Sequence, residues 1–154
     1  MTVLNVAMFG SDELAKEIAK ATDQRDVHTY VHKESKEGIA KIISIIRPAR
    51  YPERLRPLLN AISAGRVGII EISAIDATLG EVLVAFASSS IEFGIAVVRP
   101  KDGDWVDQEM AEKMFAQAGL NKWKFMPPDG VDIRNHLYDL MDEIQDELTN
   151  SAAS

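Results

Sequence analysis

The sequence predicts a three-layer α/β/α domain built on a mostly parallel sheet of five or six strands. Two observations carry that expectation. Short apolar runs of strand type alternate along nearly the whole chain with segments whose apolar residues recur at helical spacing. The length of 154 residues, with 46% hydrophobic content, suits one compact domain whose core lies between packed layers. Right-handed crossovers between such units leave loops beyond the C-terminal ends of the strands, where ligands bind in folds of this class.

The elements follow in order. Val3 to Phe9 is an apolar run ending at Gly10, the pattern of a buried strand entering a turn. Ser11-Asp12-Glu13 opens a helix that carries Leu14, Ile18 and Ala21 on one face. Val27 to Val31 suits a short strand, and Lys33 to Glu37 a polar connection. Lys41 to Ile46 reads as the next strand, stopped by Arg47 and Pro48. Pro52 opens a helix with Leu55, Leu58, Leu59 and Ile62 inward and Gly65 just past its end. Val67 to Ile72 is a strand. Thr78 to Glu81 has capping-box spacing, with Val82, Leu83 and Phe86 following on one helical face.

Phe93 to Val98 forms another strand, Asp107 to Ala118 a helix closed by Gly119, and Lys122 to Met126 the last strand. After the Pro127-Pro128-Asp129-Gly130 loop comes a helix with Ile133, Leu137, Leu140, Met141, Ile144 and Leu148 in register. A single domain is expected over residues 1–148, with 149–154 a flexible tail or the start of a linker.

Composition excludes several chemistries. There is no cysteine, so disulfides, thiolate metal sites and cysteine nucleophiles are absent. No apolar run approaches the roughly 20 residues a membrane helix needs, and the start has no basic, signal-like region, so a soluble cytoplasmic protein is expected. The net charge of −7 opposes broad contact with a phosphate backbone.

The turn after the first strand is compared with two phosphate-binding patterns. Gly10 and Lys16 have the spacing of a phosphate-binding loop, but Ala15 stands for its second glycine and Glu17 for its magnesium hydroxyl. Ser11, Asp12 and Glu13 already satisfy the positive helix end. Read as a dinucleotide fingerprint, the same turn puts Gly10, Asp12 and Ala15 at the three glycine positions, with Glu34 as the ribose-binding acid. An aspartate at the middle position opposes a pyrophosphate. A Rossmann-like domain binding a nucleotide or dinucleotide at the Gly10 turn is the alternative carried forward.

Taken in order, these segments resemble the G domain of translational GTPases, the family of elongation factor Tu and the selenocysteine-specific elongation factor. Asn5 to Gly10 is similar to that family's first strand and loop, and Glu37-Gly38-Ile39-Ala40 to its first-switch sequence, with alanine for the magnesium-binding threonine. Ile45 to Tyr51 aligns with the V-D-x-P-G-H stretch. There Arg47 replaces the aspartate, Arg50 the glycine facing the γ-phosphate, and Tyr51 the histidine that positions water. Thr78 to Glu81 resembles the family's Q-T-R-E-H segment. Val97 to Asp102 falls where N-K-x-D reads guanine and keeps only Asp102, and Met126 to Val131 falls at S-A-x-x-G-x and keeps Gly130.

The resemblance implies a P-loop GTPase-like topology and a pseudo-GTPase, because phosphoryl transfer depends on positioned magnesium, phosphate-facing N–H groups and an oriented water. A binding or scaffolding role in translation follows from the resemblance, with tRNA, the ribosome or translation-factor domains as partners. The family's C-terminal β-barrel domains are also expected in a longer chain. No catalytic residue and no metal site is expected. A guanine nucleotide, if bound, would meet Gly10, Lys16 and Asp102.

Arg47, Arg50, Arg54 and Arg56, with Tyr51 among them, form the concentrated basic segment of an acidic chain. One reading is a solvated face paired to nearby acids; the other is a contact for RNA phosphate or an acidic protein, carried by Arg47, Arg50, Tyr51 and Arg54. His28 and His32, four apart in a strand, read as surface residues rather than metal ligands, and His136 as a helix-boundary residue. Asp104, Asp107 and Glu109 read as loop and N-cap acids. Ser88-Ser89-Ser90 lacks a nucleophile elbow. Trp105 and Trp123 are core or rim residues, and exposure of both together would mark a partner surface.

Overall fold

The computed structural model describes residues 2–22, 27–48 and 55–153. Strand β1 (Thr2–Phe9) leads to helix α1 (Asp12–Ile18), followed by strands β2 (Lys20–Thr22), β3 (Val27–Lys36) and β4 (Ile39–Pro48). Then come α2 (Leu55–Ala64), β5 (Val67–Ile72), α3 (Ala77–Ala87) and β6 (Phe93–Val98). The chain closes with α4 (Gln108–Ala118), β7 (Trp123–Met126) and α5 (Gly130–Ala153). The seven strands form one sheet in the order β2-β3-β4-β1-β5-β6-β7. β4, β1, β5, β6 and β7 run parallel, and β3 and β2 are added antiparallel at one edge.

The predicted three-layer arrangement follows from side-chain alternation on β1. Leu4, Val6 and Met8 point into a cluster with α1 and α5, while Ala7 joins α2, α3 and α4 on the other face. Both faces of the parallel strands are therefore covered, as such sheets require.

Two elements differ from the sequence expectation. The sheet has seven strands because α1 stops at Ile18: Ala19 turns extended (φ −149°, ψ 164°), and Ala21 leaves the helix to pair with Tyr30. Arg134 of α5 donates to the Ile18 carbonyl at 3.2 Å, so a tertiary contact holds the helix end. Lys33 to Lys36, read as a connection, belongs to a ten-residue β3. Its hairpin with β4 turns on Glu37 and Gly38, both at positive φ (55° and 78°), the geometry of a two-residue turn matching strand twist. Polar residues are tolerated there because an antiparallel edge can face water.

The caps were partly legible. Ser11 caps α1, and Asp107 and Gly119 bracket α4, the glycine at φ 89°. For α3 the N-cap is Asp76, whose Oδ1 accepts from Leu79 N–H at 3.0 Å, and Thr78 lies inside the first turn. Pro52, expected to open α2, lies outside the described residues. Helical backbone in α5 continues through Ala153, across most of the stretch expected as a tail.

Trp123 fixes the β5-β6-β7 half of the sheet. Gly68, Gly94 and Trp123 are in register across three strands, and the indole lies on the two glycines. Phe86 and Phe115 flank it at 5.3 and 5.8 Å between ring centroids.

Candidate functional site

After β1 the chain turns to α1 on one face of the sheet; after β5 it turns to α3 on the other. Loops that diverge from neighbouring parallel strands leave a crevice at the strand ends, the usual ligand position in this fold class. A cleft of about 680 Å³ lies there, lined by Gly10 and Ser11 after β1, Glu71 and Ser73 at the end of β5, and Arg99 to Asp102 after β6.

The turn itself is minimal. β1 ends at Phe9 and α1 begins at Asp12, so only Gly10 and Ser11 connect them. A Cβ on Gly10 would lie 2.9 Å from the Glu71 Cβ, so glycine permits the close approach of this turn to β5. Glu71 uses that approach. Its Oε1 accepts from the Ser11 N–H at 2.9 Å, and its Oε2 from the Ser11 hydroxyl at 3.1 Å. The Ser11 Oγ in turn accepts from Leu14 N–H at 3.2 Å. A nine-tenths-buried carboxylate of the chain thus sits on the strand-to-helix turn.

Arg99 draws the surrounding acids together. Its Nη2 meets Glu13 at 2.7 Å and Glu17 at 3.8 Å, and its Nη1 lies 3.8 Å from Glu71. The last separation is that of an ion pair, too long for a hydrogen bond, and Nη1 is buried with no hydrogen-bond acceptor. Arg99 therefore links the end of β6 to α1 and β5 through charge, while its backbone N–H donates to the Ile72 carbonyl.

A second network runs along the other side of the turn. Arg47 donates through Nη1 to the Gly10 carbonyl (3.2 Å) and through Nε to the Tyr30 hydroxyl (3.0 Å). Tyr30 donates to Asp12 at 2.7 Å, and Asp12 pairs with Lys16 at 2.8 Å. Lys16, then the Tyr30 hydroxyl, hold the Asp12 carboxyl below its usual range. Asp12 raises Lys16, and burial raises Tyr30.

The cleft brings together some of the expected site residues. Gly10 and Asp102 line it; Lys16 is not among the described residues that do. With the helix starting at Asp12, Lys16 falls one turn inside α1 and pairs with Asp12 at i,i+4. Arg47, expected as a partner contact, spends its hydrogen bonds inside the fold. Arg50, Tyr51 and Arg54 lie outside the described residues. Glu34, the acid of the dinucleotide alternative, pairs in register with Lys41 and through it with Thr2, placing it at the far end of the sheet from Gly10. The Glu37-Gly38 hairpin lies at that same far end, so the first-switch-like segment is remote from the cleft.

His32, read as a surface residue, is half-buried and partnered: its Nδ1 is 2.8 Å from the Tyr138 hydroxyl, and that hydroxyl donates to the His32 carbonyl. The two tryptophans part company, Trp123 buried and Trp105 exposed.

Sequence reasoning missed Glu71 and gave Arg99 no role of its own. The available signal was a lone acid in the otherwise apolar run VGIIEI and an arginine directly after FGIAVV. Among the described residues no group of three or more His, Asp or Glu is placed to hold a metal ion, and no helix is long and apolar enough to cross a membrane.

No protein-family profile matches the chain. It is 29% identical over 141 residues to an uncharacterized protein of Methanocaldococcus jannaschii, covering 91% of this chain and 43% of that one. The crystal structure of the bacterial selenocysteine-specific elongation factor EF-Sec superposes with a TM-score of 0.61 at 19% identity, over 97% of this chain and 29% of that chain. The chain thus spans less than half the length of either protein. The likeness establishes the fold: this is an α/β domain that shares the fold of part of that elongation factor.

Proposed function

We propose that this domain is a translation-factor-like module that neither retains nor hydrolyses GTP and acts through its surfaces as a binding or scaffolding unit. The observation that carries the proposal is the Glu71 carboxylate on the Ser11 N–H and hydroxyl. Phosphate binding at a strand-to-helix turn relies on free backbone N–H groups and a positive field. Here one such N–H serves an internal carboxylate, Glu13 and Glu17 add negative charge, and the two-residue connection is too short to wrap a phosphate chain. A nucleotide would have to displace Glu71 against the repulsion of its neighbours.

Support for the translation context comes from the fold likeness to EF-Sec. Partners of that kind are tRNA, the ribosome and the β-barrel domains of a translation factor, met in the cytoplasm. The direct test is titration calorimetry with GTP and GDP in the presence of magnesium, together with a phosphate-release assay. No saturable heat and no turnover are expected. Micromolar binding of either nucleotide, with or without hydrolysis, refutes the proposal.

The open crevice at the strand ends supports a second reading, a small ligand other than GTP held between Ser73, Arg99 and Asp102. A thermal-shift screen with NAD, NADP and ATP separates the two. A shift abolished by Gly10→Val but absent with guanine nucleotides favours the second.

A further inference from the structure

The loop between β6 and α4 lies partly outside the site just described, and its middle is built to display one side chain. Lys101 to Asp104 closes a turn, with Asp104 N–H donating to the Lys101 carbonyl at 2.9 Å and Gly103 at φ 82°. Val106 is then buried against the α3–α4 core, and Asp107 caps α4. Between these anchors Trp105 stands with 81% of its surface exposed, and Met110, in the first turn of α4, is 52% exposed. An indole this exposed on an anchored loop is unusual, since tryptophan is among the residues that gain most from burial at an interface.

The charge around it selects the occupant. From Lys101 to Lys113 the chain carries five carboxylates (Asp102, Asp104, Asp107, Glu109, Glu112) against two lysines. None of the five forms an ion pair among the described residues. Arg99, the nearest arginine in sequence, is already engaged with Glu13, Glu17 and Glu71. An excess of negative charge therefore surrounds the apolar surface. Such a field repels nucleic acid and attracts a cationic chain.

We infer that Trp105 and its flanking carboxylates form a docking surface for an arginine- or lysine-rich segment of another protein. The carboxylates steer the segment, and a guanidinium stacks on the indole face. The inference stands on this loop alone and does not depend on whether a nucleotide binds the cleft.

The probe is octa-arginine. In the wild-type chain, saturable blue-shifted emission from Trp105 is expected at low salt, because the buried Trp123 has little solvent exposure to lose. Raising salt from about 20 to 150 mM should weaken binding on the order of tenfold. Anisotropy of the fluorescein-labelled peptide then compares variants. Trp105→Ala should weaken binding about tenfold or more, as should Asp104→Asn/Glu109→Gln/Glu112→Gln together. A matched neutralisation on α5, Asp132→Asn/Asp139→Asn/Glu143→Gln, should change it less than about twofold. Circular dichroism melting confirms that each variant is folded. Equal losses in both triple variants show attraction to net charge alone and overturn the inference, as does unchanged binding by Trp105→Ala. Sedimentation showing that a second copy of the chain covers Trp105 overturns it as well.

Discussion

Replacing Glu71 by alanine separates a carboxylate that holds the turn from one kept for an external ligand. In the structure Glu71 accepts two hydrogen bonds from Ser11 at 2.9 and 3.1 Å while 9% exposed, and it faces Arg99 at 3.8 Å. Hydrogen bonds to a charged, largely buried acceptor contribute about 1.5–3 kcal/mol each. Ser11 is half-buried, so water recovers part of that loss in the variant, and Arg99 keeps Glu13 and Glu17. The net cost of Glu71→Ala should be about 2–3 kcal/mol, equivalent to a fall in melting temperature of roughly 5–10 °C for a chain of this size. Glu71→Gln keeps one carbonyl acceptor and should lose about half as much. Urea unfolding followed by far-UV circular dichroism measures both, with an unchanged m-value showing that the folded state is intact. A residue retained for function is commonly destabilising, so its removal raises stability. Glu71→Ala at or above wild-type stability would therefore refute the internal-ligand account of the turn.

The sheet offers a paired test. A Cβ on Gly94 would lie 2.4–2.5 Å from three atoms of the Trp123 indole, so Gly94→Ala should displace the ring from Phe86 and Phe115 and cost about 2–4 kcal/mol in urea unfolding. Gly80, inside α3, has no heavy atom beyond its own helix backbone and chain neighbours within 4 Å of an added Cβ, and Gly80→Ala should stabilise by about 0.5–1 kcal/mol. If the two substitutions behave alike in that experiment, the packing account of Trp123 is wrong. At high pH, burial pushes the Tyr138 hydroxyl up to about 12 from 10. The folded state then holds a proton that the unfolded chain releases, so stability present below pH 10 should fall as pH rises toward 12. Tyr138→Phe should flatten that decline in alkaline denaturation curves. At mildly acid pH, burial holds His32 and His136 below the usual 6.5. The unfolded chain binds protons first, and stability should drop as pH falls below 6.5.

The alternation of short apolar runs with helical spacing, the cap at Ser11, the bracket of Asp107 and Gly119, and the absence of cysteine were all settled by local chemistry, because each depends on residues within a few positions of one another. Sequence order likewise sufficed to put Gly10 and Asp102 beyond strand ends. Whether they would meet depended on which strands became neighbours, and that is decided by the order β4-β1-β5-β6. The end of α1 depended on Arg134, distant in sequence, and the length of β3 on a partner strand that lets polar residues face water. The first-switch likeness at Gly38 failed because an antiparallel hairpin carries that glycine to the opposite end of the sheet. Glu71 is the clearest case of all. In the sequence it is one acid in an apolar strand; only folding lays β5 beside β1 and brings its carboxylate onto the N–H and hydroxyl of Ser11, sixty positions away. Apolar periodicity could build the scaffold, but the chemistry of the crevice was left to contacts that no local pattern encodes.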